Sequence, residues 1–294
     1  MSGIVMPEKF YAGYLFDLDG TIYLGDHLLP GVARLIGELR RRSVPVRFLT
    51  NNPTRTPREY SDKLNRLGIP TSVSEVVNSV GALIRWITRH HPGATVFPIA
   101  ERPVVAALES AGIPMSEDPA QIDVVVASYD RSFDYRKLQI AFDAIWYHRR
   151  AILVGTNPDR YCPLPGGRGE PDCAAVIAAI EACTGTTCAA VVGKPDPEMV
   201  SEALAGVDLD PRSCVMVGDR LSTDVALSVN AGMASALVLT GDSVLTDVRQ
   251  VVADERPTYV LDRIDRLVPS PVWRELGWSE SSEKDDEKLG VGSI

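Results

Sequence analysis

One rhythm runs through most of this sequence: a short apolar or β-branched run, a turn, then 10 to 15 residues of amphipathic pattern. Strands joined by crossover helices read this way, so the chain is expected to be an α/β protein built on a parallel sheet. Strands are expected at Tyr14–Asp17, Pro45–Thr50, Val76–Asn78, Thr95–Ile99, Ile122–Ala127, Ile152–Gly155, Ala189–Val192, Cys214–Val217, Ser235–Leu239 and Tyr259–Leu261. Helices are expected at Gly31–Arg42, Asp134–Arg149, Cys173–Cys183, Pro197–Ala205 and Thr223–Ala231. The clearest helix start is Thr56-Pro57-Arg58-Glu59, a capping box with proline at the first helical position, and Gly68 follows as a stop.

At 294 residues the chain has room for two domains. An apolar fraction of 45% supplies a core for each and excludes a largely disordered protein. Thirty basic residues against 39 acidic ones leave a formal charge of −9, the wrong sign for neutralising a phosphate backbone. Nucleic acid and anionic membrane are therefore not expected partners, and a small anionic substrate would need a local cationic site. No apolar run approaches the ~18 residues of a membrane helix, and the N-terminal stretch lacks the pattern of a signal peptide, so the expected location is cytoplasmic. The five cysteines include no Cys-x-x-Cys pair and are expected to be free, buried thiols. Three prolines and three glycines between Pro163 and Pro171 predict a surface loop, and residues 279–294 predict a disordered acidic tail.

Chemistry is concentrated at four strand ends. Tyr14-Leu15-Phe16-Asp17-Leu18-Asp19-Gly20-Thr21 closes an apolar run with two carboxylates at i and i+2, which share one face of a strand and emerge at its carboxyl end, where open parallel sheets bind ligands. Two such acids repel unless a cation lies between them or one is protonated, and Mg²⁺ suits a set of oxygen donors with no histidine or cysteine cluster nearby. Turn-forming aspartates are the plainer alternative. A second carboxylate pair, in Val217-Gly218-Asp219-Arg220-Leu221-Ser222-Thr223-Asp224, repeats the arrangement. Asp219 would complete the cation site if its strand neighbours the first, while Asp224 reads equally as an acid in the first turn of a helix. Thr50-Asn51-Asn52 offers a hydroxyl and two amides before a helix start, and Val192-Gly193-Lys194-Pro195 offers a lone lysine; both suit a phosphate and both are ordinary turn chemistry.

In this order the four strand ends resemble the haloacid dehalogenase superfamily, within it the NagD-like and p-nitrophenylphosphatase-like branch, over nearly all of Tyr14 to Val268. The resemblance implies a three-layer Rossmann-like parallel-sheet core with an inserted α/β cap. Thr21 and Pro30 are nine positions apart, too close for a domain, whereas 143 residues lie between Thr50 and Lys194. The cap is therefore expected at residues 80–186, with core segments at 1–79 and 187–278. The implied activity is Mg²⁺-dependent hydrolysis of a phosphate monoester through an aspartyl-phosphate. Asp17 would be the nucleophile and Asp19 the acid and base. Mg²⁺ would be held by Asp17, Asp19 through its backbone carbonyl, and Asp219, and the phosphoryl oxygens by Thr50, Asn51 and Lys194. Gly20, Asn52 and Asp224 would support them.

The expected substrate is a small phosphorylated metabolite of the sugar, polyol or glycerol phosphate class, with a nucleoside monophosphate, phosphoglycolate or pyridoxal phosphate as alternatives. Family likeness also allows a homodimer. Within the cap, Asn157, Asp159 and Asp172 are the expected specificity residues. Asp172 stands in Pro171-Asp172-Cys173-Ala174-Ala175, where related proteins often carry Pro-Gly-small-Gly, so its substitution is expected to alter substrate preference more than turnover of a small generic ester. A receiver-type phosphoacceptor is disfavoured by the large insertion, a silent binding protein by the filled motif positions, and dehalogenation by the presence of Asp19.

Overall fold

In the computed structural model the described residues are 6–164 and 168–278. The tail expected at 279–294 and the centre of the Pro/Gly stretch, 165–167, lie outside the described residues. In chain order the described strands are β1 (Gly13–Asp17), β2 (Tyr23–Leu24), β3 (His27–Leu28), β4 (Val46–Thr50), β5 (Val76–Asn78), β6 (Val96–Ile99), β7 (Val124–Ala127), β8 (Ile152–Gly155), β9 (Tyr161–Leu164), β10 (Arg168–Pro171), β11 (Ala190–Val191), β12 (Cys214–Gly218), β13 (Ala234–Val238) and β14 (Tyr259–Leu261). Each of the ten expected strands is present, and the fold is the parallel-sheet α/β class that the rhythm implies. Among the described residues no helix is long and apolar enough to cross a membrane.

The described residues divide into two compact units, the first comprising those of Met1–Arg47, Leu67–Ile69 and Asp208–Ile294. At its centre β1 pairs in parallel with β12, from Gly13↔Cys214 to Phe16↔Val217, and β12, β13 and β14 follow in parallel order. Every residue of β1 and of β12 is buried, which is why both read as unbroken apolar runs rather than as alternation. The helix Val32–Arg41 buries Val32, Leu35, Ile36 and Leu39, one stripe at helical spacing, with each such side chain contributing about 1.5–3 kcal/mol of burial.

The second unit comprises Phe48–Arg66 and Pro70–Val207. The strand β4 starts in the first unit and finishes here, where Phe48–Thr50 pair in parallel with Val76–Asn78 of β5. The expected capping box forms: Glu59 N–H donates to Thr56 Oγ1 at 3.2 Å and Thr56 N–H to Glu59 Oε2 at 2.7 Å, opening the helix Pro57–Arg66. A four-stranded parallel sheet runs in the order β11-β8-β7-β6. Against it the helix Cys173–Thr184 buries Cys173, Val176, Ile177 and Ile180, joined in the same cluster by Ile99, Val125 and Leu153.

Some expectations are corrected. The Pro/Gly stretch is not a loop throughout: Tyr161–Leu164 and Arg168–Pro171 form an antiparallel hairpin in which Gly169 faces Pro163. Proline is tolerated because each strand of an isolated pair keeps one unladdered edge. The helix expected over 134–149 is α-helical only from Tyr135 to Phe142, capped by Asp134 Oδ1 accepting from Lys137 N–H at 2.8 Å, and continues as a π-helical turn over Asp143–Tyr147. The helix expected from Thr223 likewise starts as a π turn, Leu221–Val225, before Ala226–Ala231. None of the five cysteines is in a disulfide, but only Cys173 and Cys214 are buried; Cys183, in the last turn of its helix, is exposed.

Candidate active site

The first unit gathers carboxylates. Because β1 and β12 are parallel neighbours in register, their carboxyl ends finish side by side, and Asp17 and Asp219 leave them together. Asp224 joins them: one oxygen from each of Asp17, Asp219 and Asp224 lies within 4.8 Å of the others, and the three residues are 8%, 3% and 2% exposed. Asp224 reaches this point because the π turn folds its side chain back over the strand end. A Cβ on Gly218 would lie 2.2 Å from Asp224 Cγ, so only glycine fits there. The Asp224 carboxylate also accepts from Arg220 N–H at 3.1 Å.

Three negative charges at this spacing repel by about 3 kcal/mol or more per pair at an effective dielectric constant near 20, so the cluster calls for a cation or for protons. Clustered carboxylate oxygens, with no sulfur or imidazole among the three, fit a hard divalent cation. Asp19 is not one of the three. It is half-buried in a tight turn where Leu18 C=O accepts from Ile22 N–H at 2.9 Å, and it bridges to Tyr23. Gly20, at φ +89°, permits this turn; a Cβ on it would sit 2.6 Å from Asp219 Oδ2.

The segment after β13 was not singled out from the sequence, yet it holds this cluster. Thr240 Oγ1 donates to Gly20 C=O at 2.6 Å, Asp242 N–H to Asp219 Oδ2 at 2.7 Å, and Ser243 N–H to Asp219 C=O at 3.1 Å. The signal is legible: Ala236-Leu237-Val238-Leu239 is another apolar run, followed by Thr240-Gly241-Asp242 with its glycine and acid.

The second unit gathers the amides and the lysine. Thr50, Asn51 and Lys194 are 3%, 6% and 2% exposed. Asn51 clamps the lysine's backbone: its Oδ1 accepts from Lys194 N–H at 2.7 Å and its Nδ2 donates to Lys194 C=O at 3.0 Å. The Asn51 carbonyl accepts from Ser79 Oγ at 2.9 Å and from Asn157 Nδ2 at 3.2 Å. Ser79 is another unpredicted partner, placed by the end of β5. Asn52 shapes the turn, with its Oδ1 accepting from Thr54 N–H at 3.0 Å while its own N–H donates to Thr50 Oγ1 at 3.1 Å. Asp172 caps the helix Cys173–Thr184, accepting from Cys173 N–H at 2.6 Å. Asp159 meets Asn157 through its backbone, Asp159 N–H donating to Asn157 Oδ1 at 2.9 Å.

Comparison with known proteins gives these groupings their context. The profile of the haloacid dehalogenase-like hydrolases matches residues 14–114, and a second, HAD-hydrolase-like, matches residues 191–267. An acid sugar phosphatase of Staphylococcus aureus (strain USA300) is 34% identical over 261 residues, 88% of this chain and 98% of that protein. The crystal structure of a 4-nitrophenylphosphatase from Thermotoga maritima has a TM-score of 0.80 at 30% identity, covering 87% of this chain and 96% of that one. A glycerol phosphate phosphatase from Mycobacterium tuberculosis, solved in complex with calcium, has a TM-score of 0.78 at 28% identity, covering 87% of this chain and 74% of that one. With the four expected motifs inside the matched span, the chain belongs to the haloacid dehalogenase-like hydrolase family and is one of its phosphatases, an enzyme that acts on a small phosphorylated compound.

Proposed function

We propose that this protein hydrolyses a sugar, polyol or glycerol phosphate through a phosphorylated Asp17. The observation that carries the reading is the Asp17, Asp219 and Asp224 cluster, which stands at the end of β1 where the family's nucleophile belongs. The substrate class leans on the relatives named acid sugar phosphatase and glycerol phosphate phosphatase.

In the first step an Asp17 carboxylate oxygen attacks phosphorus in line and forms an acyl phosphate, while the bond to the leaving alkoxide breaks. Asp19, as the carboxylic acid, donates its proton to that alkoxide. In the second step Asp19, now a carboxylate, takes a proton from water as the water oxygen attacks the same phosphorus, releasing phosphate and restoring Asp17. Thr50, Asn51 and Lys194 hold the non-bridging oxygens and stabilise their charge in both transition states. Asp17 and Asp219, with the Asp19 carbonyl, would hold Mg²⁺, and Asp224 would support them; bound there, the ion supplies the positive charge that lets one anion approach another.

Residues 80–186 serve as the cap in this reading and residues 1–79 and 187–278 as the core. This reading sets the enzyme in the cytoplasm, and family likeness allows a homodimer. The test is hydrolysis of p-nitrophenyl phosphate by the purified protein, which is expected to need Mg²⁺ and to be abolished by chelation or by Asp17→Asn. Turnover by Asp17→Asn at the parent rate would overturn the mechanism.

A further inference from the structure

The sequence alone assigns Asn157 and Asp172 to substrate selection, but their surroundings suit another task. Asn157 is 0% exposed and Asp172 is 3% exposed. The amide of Asn157 is occupied on both sides: Oδ1 accepts from Asp159 N–H at 2.9 Å, and Nδ2 donates to Asn51 C=O at 3.2 Å, with Asp172 Oδ1 at 3.4 Å and Thr156 Oγ1 at 3.5 Å as longer partners. The amide group's hydrogens and its carbonyl are then both engaged inside the protein, and a side chain with no exposed surface is not open to a substrate.

All of these contacts lie within the second unit and converge on one loop. Strands β8 and β11 are parallel neighbours, so the segments that leave them, Thr156–Asn157 and Val192–Lys194, run side by side, with Val192 N–H donating to Gly155 C=O at 3.0 Å. They touch so closely that a Cβ on Gly193 would lie 2.6 Å from Thr156 C=O, 2.7 Å from Asn51 Oδ1 and 3.1 Å from Asn157 Cβ. Asp172 fixes the far end: its Oδ1 accepts from both Cys173 N–H and Asn157 Nδ2, and its own N–H donates to Arg160 C=O at 3.1 Å.

We infer that Asp172 and Asn157 are positioning residues for the phosphate-holding pair. Asp172 orients the Asn157 amide, Asn157 braces the Asn51 carbonyl, and Asn51 clamps the backbone of Lys194. The inference rests on Asn51 and Lys194 binding the phosphoryl group. It makes Asp172 an acceptor of hydrogen bonds rather than a charge read by the substrate. Asparagine, which caps helices as well as aspartate does, should therefore replace it.

The experiment compares the parent protein with Asp172→Asn, Asp172→Ala and Asn157→Ala in two measurements. One is kcat/KM for p-nitrophenyl phosphate, glycerol 3-phosphate and glucose 6-phosphate; the other is calorimetric affinity for inorganic phosphate. A clamp displaced by about 1 Å predicts that Asn157→Ala lowers kcat/KM by the same factor, on the order of ten- to a hundredfold, for every ester, and weakens phosphate binding in parallel. Asp172→Ala should follow the same pattern and Asp172→Asn should stay within about threefold of the parent. The inference is overturned if Asp172→Asn reorders the substrates, or if folded Asn157→Ala binds phosphate as the parent does. Should Asp172→Ala not fold, the other two variants decide. Failure of the parent to hydrolyse any ester would instead count against the proposed function, and is distinguishable because phosphate calorimetry does not need turnover.

Discussion

Replacing Gly241 with alanine tests how far the metal-ligating role proposed for Asp219 depends on the segment after β13. The added Cβ would sit 2.0 Å from Asp219 Oδ2, 2.5 Å from its Cγ and 2.7 Å from its Cβ, all far below ordinary contact. Asp219 is 3% exposed, so the carboxylate has no open solvent to swing into. To regain a contact of 3.4 Å the nearest oxygen must retreat by about 1.4 Å, and in doing so it strains or breaks the 2.7 Å bond from Asp242 N–H. Misplacing a reacting or ligating group by about 1 Å costs on the order of a hundredfold in rate, about 2.7 kcal/mol of transition-state stabilisation. Gly241→Ala is therefore expected to lower kcat for p-nitrophenyl phosphate by roughly a hundredfold and to raise the Mg²⁺ concentration for half-maximal activity. The control is Gly37→Ala, on the exposed side of the helix Val32–Arg41 with nothing within 4 Å of the new Cβ. It should leave kinetics unchanged and stabilise the fold by about 1 kcal/mol. If Gly241→Ala keeps both the parent rate and the parent Mg²⁺ dependence, the steric argument is wrong and Asp219 is not a ligand held in place by this loop.

Two further outcomes follow from the environments of titrating groups. Glu38 is 5% exposed and its pKa is held below the usual carboxylate value by hydrogen bonding to Arg41, against the upward pull of burial, with Arg42 helping. Since the folded pKa lies below the unfolded one, the stabilisation is present above the unfolded pKa near 4.3 and fades as pH falls through the folded value. Glu38→Gln should thus lower the thermal midpoint at pH 7 by on the order of 2 °C, with the gap to the parent closing in acid; a constant gap down to pH 2 would contradict this. Burial pushes the Cys173 thiol up to about 12, whereas Cys183 is exposed. In native protein at pH 8, Cys183→Ser should remove the fast phase of thiol labelling, while Cys173→Ser should change only the count in denaturant.

The elements of this fold are legible residue by residue because their causes are local. Val76–Asn78, Ile152–Gly155 and Tyr259–Leu261 are strands at their expected bounds, since continuous apolar runs of that length bury well only as strands of a covered parallel sheet. The Thr56 to Glu59 capping box also needs nothing beyond four neighbouring residues. The pairing of Tyr161–Leu164 with Arg168–Pro171 is not legible, because it comes from the partner strand and not from composition.

The carboxylate cluster lay half in the pattern. That Asp17 and Asp19 end a strand follows from spacing, yet which acids meet depends on register between strands some two hundred positions apart. Parallel pairing of β1 with β12 selects Asp219, and the π turn after it brings Asp224 to the same point, where the sequence leaves its reading as a site acid or a helix first-turn acid even. Asp172 carries the same lesson. As a lone carboxylate among small residues it reads as a group turned toward a ligand, and only the packed structure reveals that Cys173 and Asn157 already use it. Periodicity dictates which residues a strand or helix exposes to its neighbours; whether a polar group so exposed is spent inside the protein or kept for a substrate is decided by what the fold brings within hydrogen-bond reach.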